Sequence, residues 1–106
     1  MTHPLSVEHY ATYARARSAL RALDLGAPTR PLGWGYRDVV QLLDLLHLDE
    51  GITHIFEVDA PRPDLVAGAR TAITALTAFG KPPAALDAVV AALDAAYAAE
   101  LAAQDA

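Results

Sequence analysis

Six of the seven prolines in this chain fall in close pairs, and the pairs cut it into helix-length pieces. Pro28 and Pro31, Pro61 and Pro63, and Pro82 and Pro83 stand where no helix interior continues. Proline lacks the N–H, and its ring clashes with the preceding turn. Between the pairs, apolar residues recur at helical spacing. A chain of 106 residues fits one domain, residues 1–106. The expectation is a single all-α domain, four-helix bundle-like, with proline-rich loops and a short irregular or extended segment at 52–58.

Ser6 suits an N-cap, and Glu8 in the first turn suits the positive end of a helix dipole. Gly26 and Pro28 stop that first helix. Tyr10, Tyr13, Ala16, Leu20 and Leu23 share one side of it, and an Arg21–Asp24 pair is within reach. Residues 26–36 hold two prolines and three glycines, which reads as a loop. The single tryptophan, Trp34, then sits on a hinge between Gly33 and Gly35. A second helix is expected from about Tyr36 to Leu48, apolar around more than half its circumference and so central in the bundle. The third opens at Pro63, buries Leu65, Ala69, Ala72, Ile73, Leu76 and Phe79, and closes at Gly80. The fourth runs from about Pro83 to Ala103.

Ile52 to Asp59 reads two ways. With period two, Ile52, His54, Phe56 and Val58 share a strand face; with period 3.6, Ile52, Ile55 and Phe56 cluster. A strand needs a partner, either the Pro31–Tyr36 loop or the same segment of a second copy. A short helix or irregular turn needs none and is preferred here.

Composition narrows the function classes. Hydrophobic residues make up 54%, but the chain has 24 alanines, so the core is thin and a thick multilayer α/β domain is excluded. No stretch is apolar enough to span a bilayer. With no cysteine there is no disulfide, thiol nucleophile or thiolate metal site. Met1 to Leu5 lacks a basic region followed by an apolar run, so a cytoplasmic protein is expected. The arginine-over-lysine, alanine-heavy usage resembles proteins from high-GC bacteria.

Net charge is −5 and unevenly spread. Residues 1–37 hold five arginines against Glu8 and Asp24, a balance of +3; residues 38–106 hold three bases against 11 acids, a balance of −8. An acidic whole argues against nucleic acid as a partner. A helix-turn-helix at 37–58 would put Glu57 and Asp59, and no base, on its second helix. Arg15, Arg17 and Arg21 are weak anion-binding candidates that do not form one stripe.

His3, His9, His47 and His54 show neither i,i+4 spacing nor an HExxH motif, so no metal site is expected. No phosphate-loop, dinucleotide or nucleophile-elbow motif occurs, and no cofactor or catalytic residue is assigned. The last helix carries a bulky stripe, Leu86, Val90, Leu93, Tyr97 and Leu101. Beside it runs a seam of smaller residues, Ala85, Val89, Ala92, Ala96, Ala99 and Ala103. Such a seam lets another helix approach closely. The expected function is therefore a non-catalytic helical interaction or regulatory module that self-associates, most simply as a homodimer. Its partner surface would use Trp34, Tyr36, Arg37, Val89, Ala92, Ala96 and Ala99. The alternative is a ligand-binding or acid–base catalytic protein with a pocket near Trp34, Tyr36, His54 and Glu57.

Overall fold

The structure, a computed structural model, describes residues 6–48, 50 and 54–105. It is all-helical and consists of four packed helices: α1 (Val7–Leu25), α2 (Arg30–Leu45), α3 (Arg62–Ala75) and α4 (Pro83–Gln104). A 3-10 turn, Leu76–Phe79, extends α3, and Gly80 closes it in the left-handed conformation at φ 86°. The turn shortens the expected third helix at its C-terminal end. Ser6 caps α1 as expected, its hydroxyl accepting from the His9 N–H at 3.1 Å.

Helix α2 departs most from expectation. It starts at Arg30, not Tyr36, and ends at Leu45, not Leu48. The Gly-Trp-Gly-Tyr stretch expected as a loop is its second turn. Pro31 falls in the first turn, where a missing N–H costs nothing. The glycines are there for close approach. A Cβ on Gly33 would lie 2.5 Å from Asp24 Oδ1 at the end of α1, and one on Gly35 would lie 3.1 Å from the Ala96 Cβ of α4. Two residues apart is about 200° around a helix, so each glycine faces a different neighbour. Trp34 and Tyr36 fall on the two remaining sides. Tyr36 points into the core, and Trp34 points out and is 50% exposed.

Around the bundle the order is α1, α2, α4, α3, with α1 packing on α2 and α3, and α4 on α2 and α3. Helix α2 touches α1 and α4 as expected of it, but every helix touches two others, and Leu42 and Leu45 are exposed, so α2 is not central. Contacts at the two ends fix the directions. The last turn of α1 meets the start of α3, and the start of α2 meets the end of α4. Adjacent helices are therefore antiparallel, while α2 and α3 are diagonal and parallel. The chain between them must travel the bundle's length, and it does so along α1. The His54 N–H donates to the Tyr10 hydroxyl at 3.1 Å and the Phe56 N–H to Ser18 Oγ at 3.0 Å. Residues 54–61 of this strap have no regular structure. Ile52 and Thr53, at the start of the expected irregular segment, lie outside the described residues.

Each helix supplies one stripe to the core: Tyr13, Leu20 and Leu23; Tyr36, Val39 and Leu43; Leu65, Ala69 and Ile73; Leu86, Val89 and Leu93. At about 1.5–3 kcal/mol for each large side chain removed from water, this burial holds the bundle together. Among the described residues, no helix is long and apolar enough to cross a membrane.

Candidate functional site

Both ends of the apolar core are closed by polar clusters. At one end, the Glu100 carboxyl is 1% exposed. Arg62 grips it with two bonds, Nε to Oε2 at 2.7 Å and Nη2 to Oε1 at 2.6 Å, and the Tyr36 hydroxyl donates to Oε1 at 2.8 Å. Arg62 Nη2 also donates to the Leu23 carbonyl at 2.9 Å, in the last turn of α1, where carbonyls lack helical partners. One residue from each helix thus joins the cluster around the Arg62–Glu100 pair. The Arg62 hydrogen bonds outweigh burial and hold the Glu100 carboxyl below its ordinary range. Burial, then the bond to Glu100, pushes the Tyr36 hydroxyl up to about 12. With three hydrogen bonds to its two oxygens and almost no exposure, this carboxylate fastens the helices.

The other end holds a histidine pair. His9 on α1 and His47, just past the end of α2, are 6% and 1% exposed, with Nε2 to Nε2 at 3.1 Å. His47 Nδ1 lies 2.9 Å from the Leu43 carbonyl, which only an N–H can satisfy. That fixes the tautomer of a neutral His47: Nδ1 carries the proton and Nε2 offers a lone pair. The Tyr13 ring stacks on His47 at 3.7 Å and the Phe79 ring on His9 at 4.8 Å. Glu50 lies beside His9, Oε2 to Nδ1 at 3.8 Å, and is paired with Lys81, which also donates to the Leu46 carbonyl at 2.7 Å. Burial lowers the pKa of both histidines and outweighs the Glu50 charge. Burial also opposes the charge on Glu50, but Lys81 outweighs it and holds that carboxyl low. Behind the pair, the Tyr13 hydroxyl donates to Asp44 Oδ1 at 2.5 Å, and Arg17 Nη2 donates to Asp44 Oδ2 at 3.2 Å. Burial and then Asp44 raise the Tyr13 pKa.

Sequence spacing had no means of joining His9 to His47, which are 38 residues apart. The nearest signal was the pair of acids, Asp44 and Glu50, flanking an otherwise apolar helix end. Glu100 and Arg62 were equally hidden, one in an acidic tail and the other in a proline-rich breaker.

The other expected site residues are dispersed. Tyr36, Val89 and Ala96 lie in the chain's own core, and Ala92 is packed against it. The small-residue seam of α4 is where α2 approaches, with Ala96 facing Gly35. Trp34, Arg37 and Ala99 are exposed, and Arg37 pairs with Asp24 at 2.9 Å in place of the expected Arg21–Asp24 pair. Trp34 and Tyr36 point to opposite sides of α2, so they do not line one pocket. His54 sits against Tyr10, with ring centroids 6.3 Å apart. Glu57 lines an open cleft of about 680 Å³ between α1 and the strap, with Ser18, Arg21 and Leu25. Arg15 lies beside α3 with Gly68 and Thr71, whereas Arg17 and Arg21 lie on the α2 side with Arg37. Comparison with protein-family models, curated proteins and solved structures gave no match to this chain.

Proposed function

We propose that this chain is a small non-catalytic helical interaction module that pairs with a second copy of itself through the outer face of α2. The observation that carries the reading is Trp34. Its indole is 50% exposed on a helix whose backbone is packed against α1 and α4, so it cannot fold back into the core. Tryptophan in such a position is a characteristic anchor of protein interfaces.

The face around it supports a symmetric partner. Trp34, Asp38, Gln41 and Leu45 are all exposed and spaced 4, 3 and 4 residues apart, which makes one row along α2. A two-fold axis reverses such a row onto itself. Trp34 then meets Leu45 of the second copy, and Asp38 meets Gln41, so apolar faces apolar and a carboxylate faces an amide. Leu42, also exposed, widens the apolar end.

Trp34 is the only indole in the chain, so its emission reads the interface directly. Increasing concentration is expected to shift the emission to the blue while sedimentation velocity shows the mass doubling. Trp34→Glu is expected to stay monomeric with unchanged helical circular dichroism. A wild-type chain that keeps the monomer mass and an unshifted emission at every concentration overturns the reading.

A further inference from the structure

We propose that His9, His47 and Glu50 form a zinc site, the ion being held by Nε2 of His47, a ring nitrogen of His9 and one carboxylate oxygen of Glu50. Water would complete the coordination. This site is independent of the pairing face on α2.

Distances make the first argument. One ligand atom from each residue can be chosen so that all three lie within 4.8 Å of one another. Zinc bonds of about 2.0–2.1 Å in a tetrahedron set ligand atoms roughly 3.3 Å apart. The Nε2 atoms of His9 and His47 are 3.1 Å apart, close to that edge, while Glu50 Oε2 lies 3.8 Å from the other His9 nitrogen, Nδ1, and must swing toward the ion. Rotation of the Glu50 side chain, which is only partly buried, closes the remainder.

Lone pairs make the second. The Leu43 carbonyl holds the Nδ1 proton of His47, so Nε2 of His47 is an acceptor aimed at His9. If His9 answers with an Nε2–H, its Nδ1 is left as a bare lone pair facing the Glu50 carboxylate. Acceptor then faces acceptor in a pocket walled by the Tyr13 and Phe79 rings. Whichever His9 nitrogen carries the proton, the other presents a lone pair to an acceptor, His47 Nε2 or the Glu50 carboxylate, and a divalent cation among the three residues relieves that contact. The His47–Leu43 bond is also the outer-shell arrangement that orients a metal-binding imidazole. Lys81 is held at Oε1 and at the Leu46 carbonyl, which leaves Oε2 on the His9 side. Two imidazoles and a carboxylate favour zinc over calcium or magnesium, which prefer all-oxygen shells.

The test titrates zinc chloride into full-length chain stripped with a chelator. Calorimetry is expected to give saturable one-to-one binding, and imidazole NMR is expected to show the His9 and His47 resonances moving together. Cobalt is expected to give the intense visible bands of a tetrahedral site. His9→Gln is expected to weaken binding by at least about tenfold. His54→Gln, at an exposed histidine elsewhere, is expected to leave it unchanged. No saturable binding, unmoved His9 and His47 resonances, or wild-type affinity in a folded His9→Gln each overturns the proposal. If His9→Gln does not fold, the wild-type resonances decide.

Discussion

Replacing Arg62 with methionine keeps the aliphatic stem and removes the guanidinium that neutralises Glu100. The carboxylate, 1% exposed, is then left with the Tyr36 hydroxyl as its bonded partner among the described residues. Breaking one side of a buried ion pair costs about 3–5 kcal/mol, because the remaining charge has lost both partner and water. Arg62 itself is 24% exposed, so water partly screens the pair and the lower end, about 3 kcal/mol, applies. Against a total of about 5–15 kcal/mol for a domain, that is a large share. At roughly 4–8 °C per kcal/mol the melting point falls by well over ten degrees. Urea unfolding followed by circular dichroism measures the loss near neutral pH. Acid gives a second signature. In the wild type the Glu100 carboxyl is held below the usual 4.5, so the unfolded chain takes up the proton first and stability fades as pH falls through the depressed value. In Arg62→Met only burial and the tyrosine act, so the folded chain takes up the proton first and the deficit shrinks in acid. Converting all three groups, as Arg62→Met/Glu100→Leu/Tyr36→Phe, is expected to recover most of the loss. A cost for Arg62→Met below about 1 kcal/mol, with no convergence in acid, would mean the pair behaves as a surface contact and would refute the reasoning.

Alanine at two glycines is expected to act in opposite directions. Gly68 has open space around its Cβ position, so Gly68→Ala gains up to about 1 kcal/mol of helix propensity, whereas Gly35→Ala presses on the Ala96 Cβ and is expected to lose about that much net of the gain. Thermal unfolding of the two variants checks the pair. Between pH 10 and about 12 the unfolded chain loses the Tyr36 proton while the folded chain keeps it, so stability falls across that window. Tyr36→Phe, which lacks that proton, should show a flatter alkaline limb in the same urea titration. Ser18→Ala removes the acceptor of the Phe56 N–H, and a loss of about 0.5–1.5 kcal/mol with faster hydrogen exchange at Phe56 is expected.

Much of the helical framework could be read from local rules. Ser6 before α1, the prolines opening α3 and α4, and Gly80 after the 3-10 turn act on their immediate neighbours, and sequence displays those effects. The failure at Gly33-Trp34-Gly35 has a definite cause. Glycine marks either freedom of the backbone or closeness of another one, and only the positions of Asp24 and Ala96 decide between them. The seam on α4 was legible as a close-packing surface, but not as one that α2 covers from within the same chain. The polar clusters were the least legible. Arg62 with Glu100, and His9 with His47, are 38 residues apart in each case, and their chemistry exists only once the ends of four helices converge.

The diagonal placement of α2 and α3 has a consequence for assembly. The chain falls into two short-looped hairpins, α1–α2 and α3–α4, that meet chiefly through α1 on α3 and α2 on α4. The strap joining them is held to α1 where the His54 and Phe56 N–H groups donate to the Tyr10 and Ser18 hydroxyls. Nothing in the meeting surfaces distinguishes a hairpin of the same polypeptide from that of a neighbour. If the strap detaches and reaches outward, two chains can exchange α3–α4 halves and rebuild both cores with the contacts seen here. The two hydroxyls that hold the strap to α1 therefore work against any such exchange.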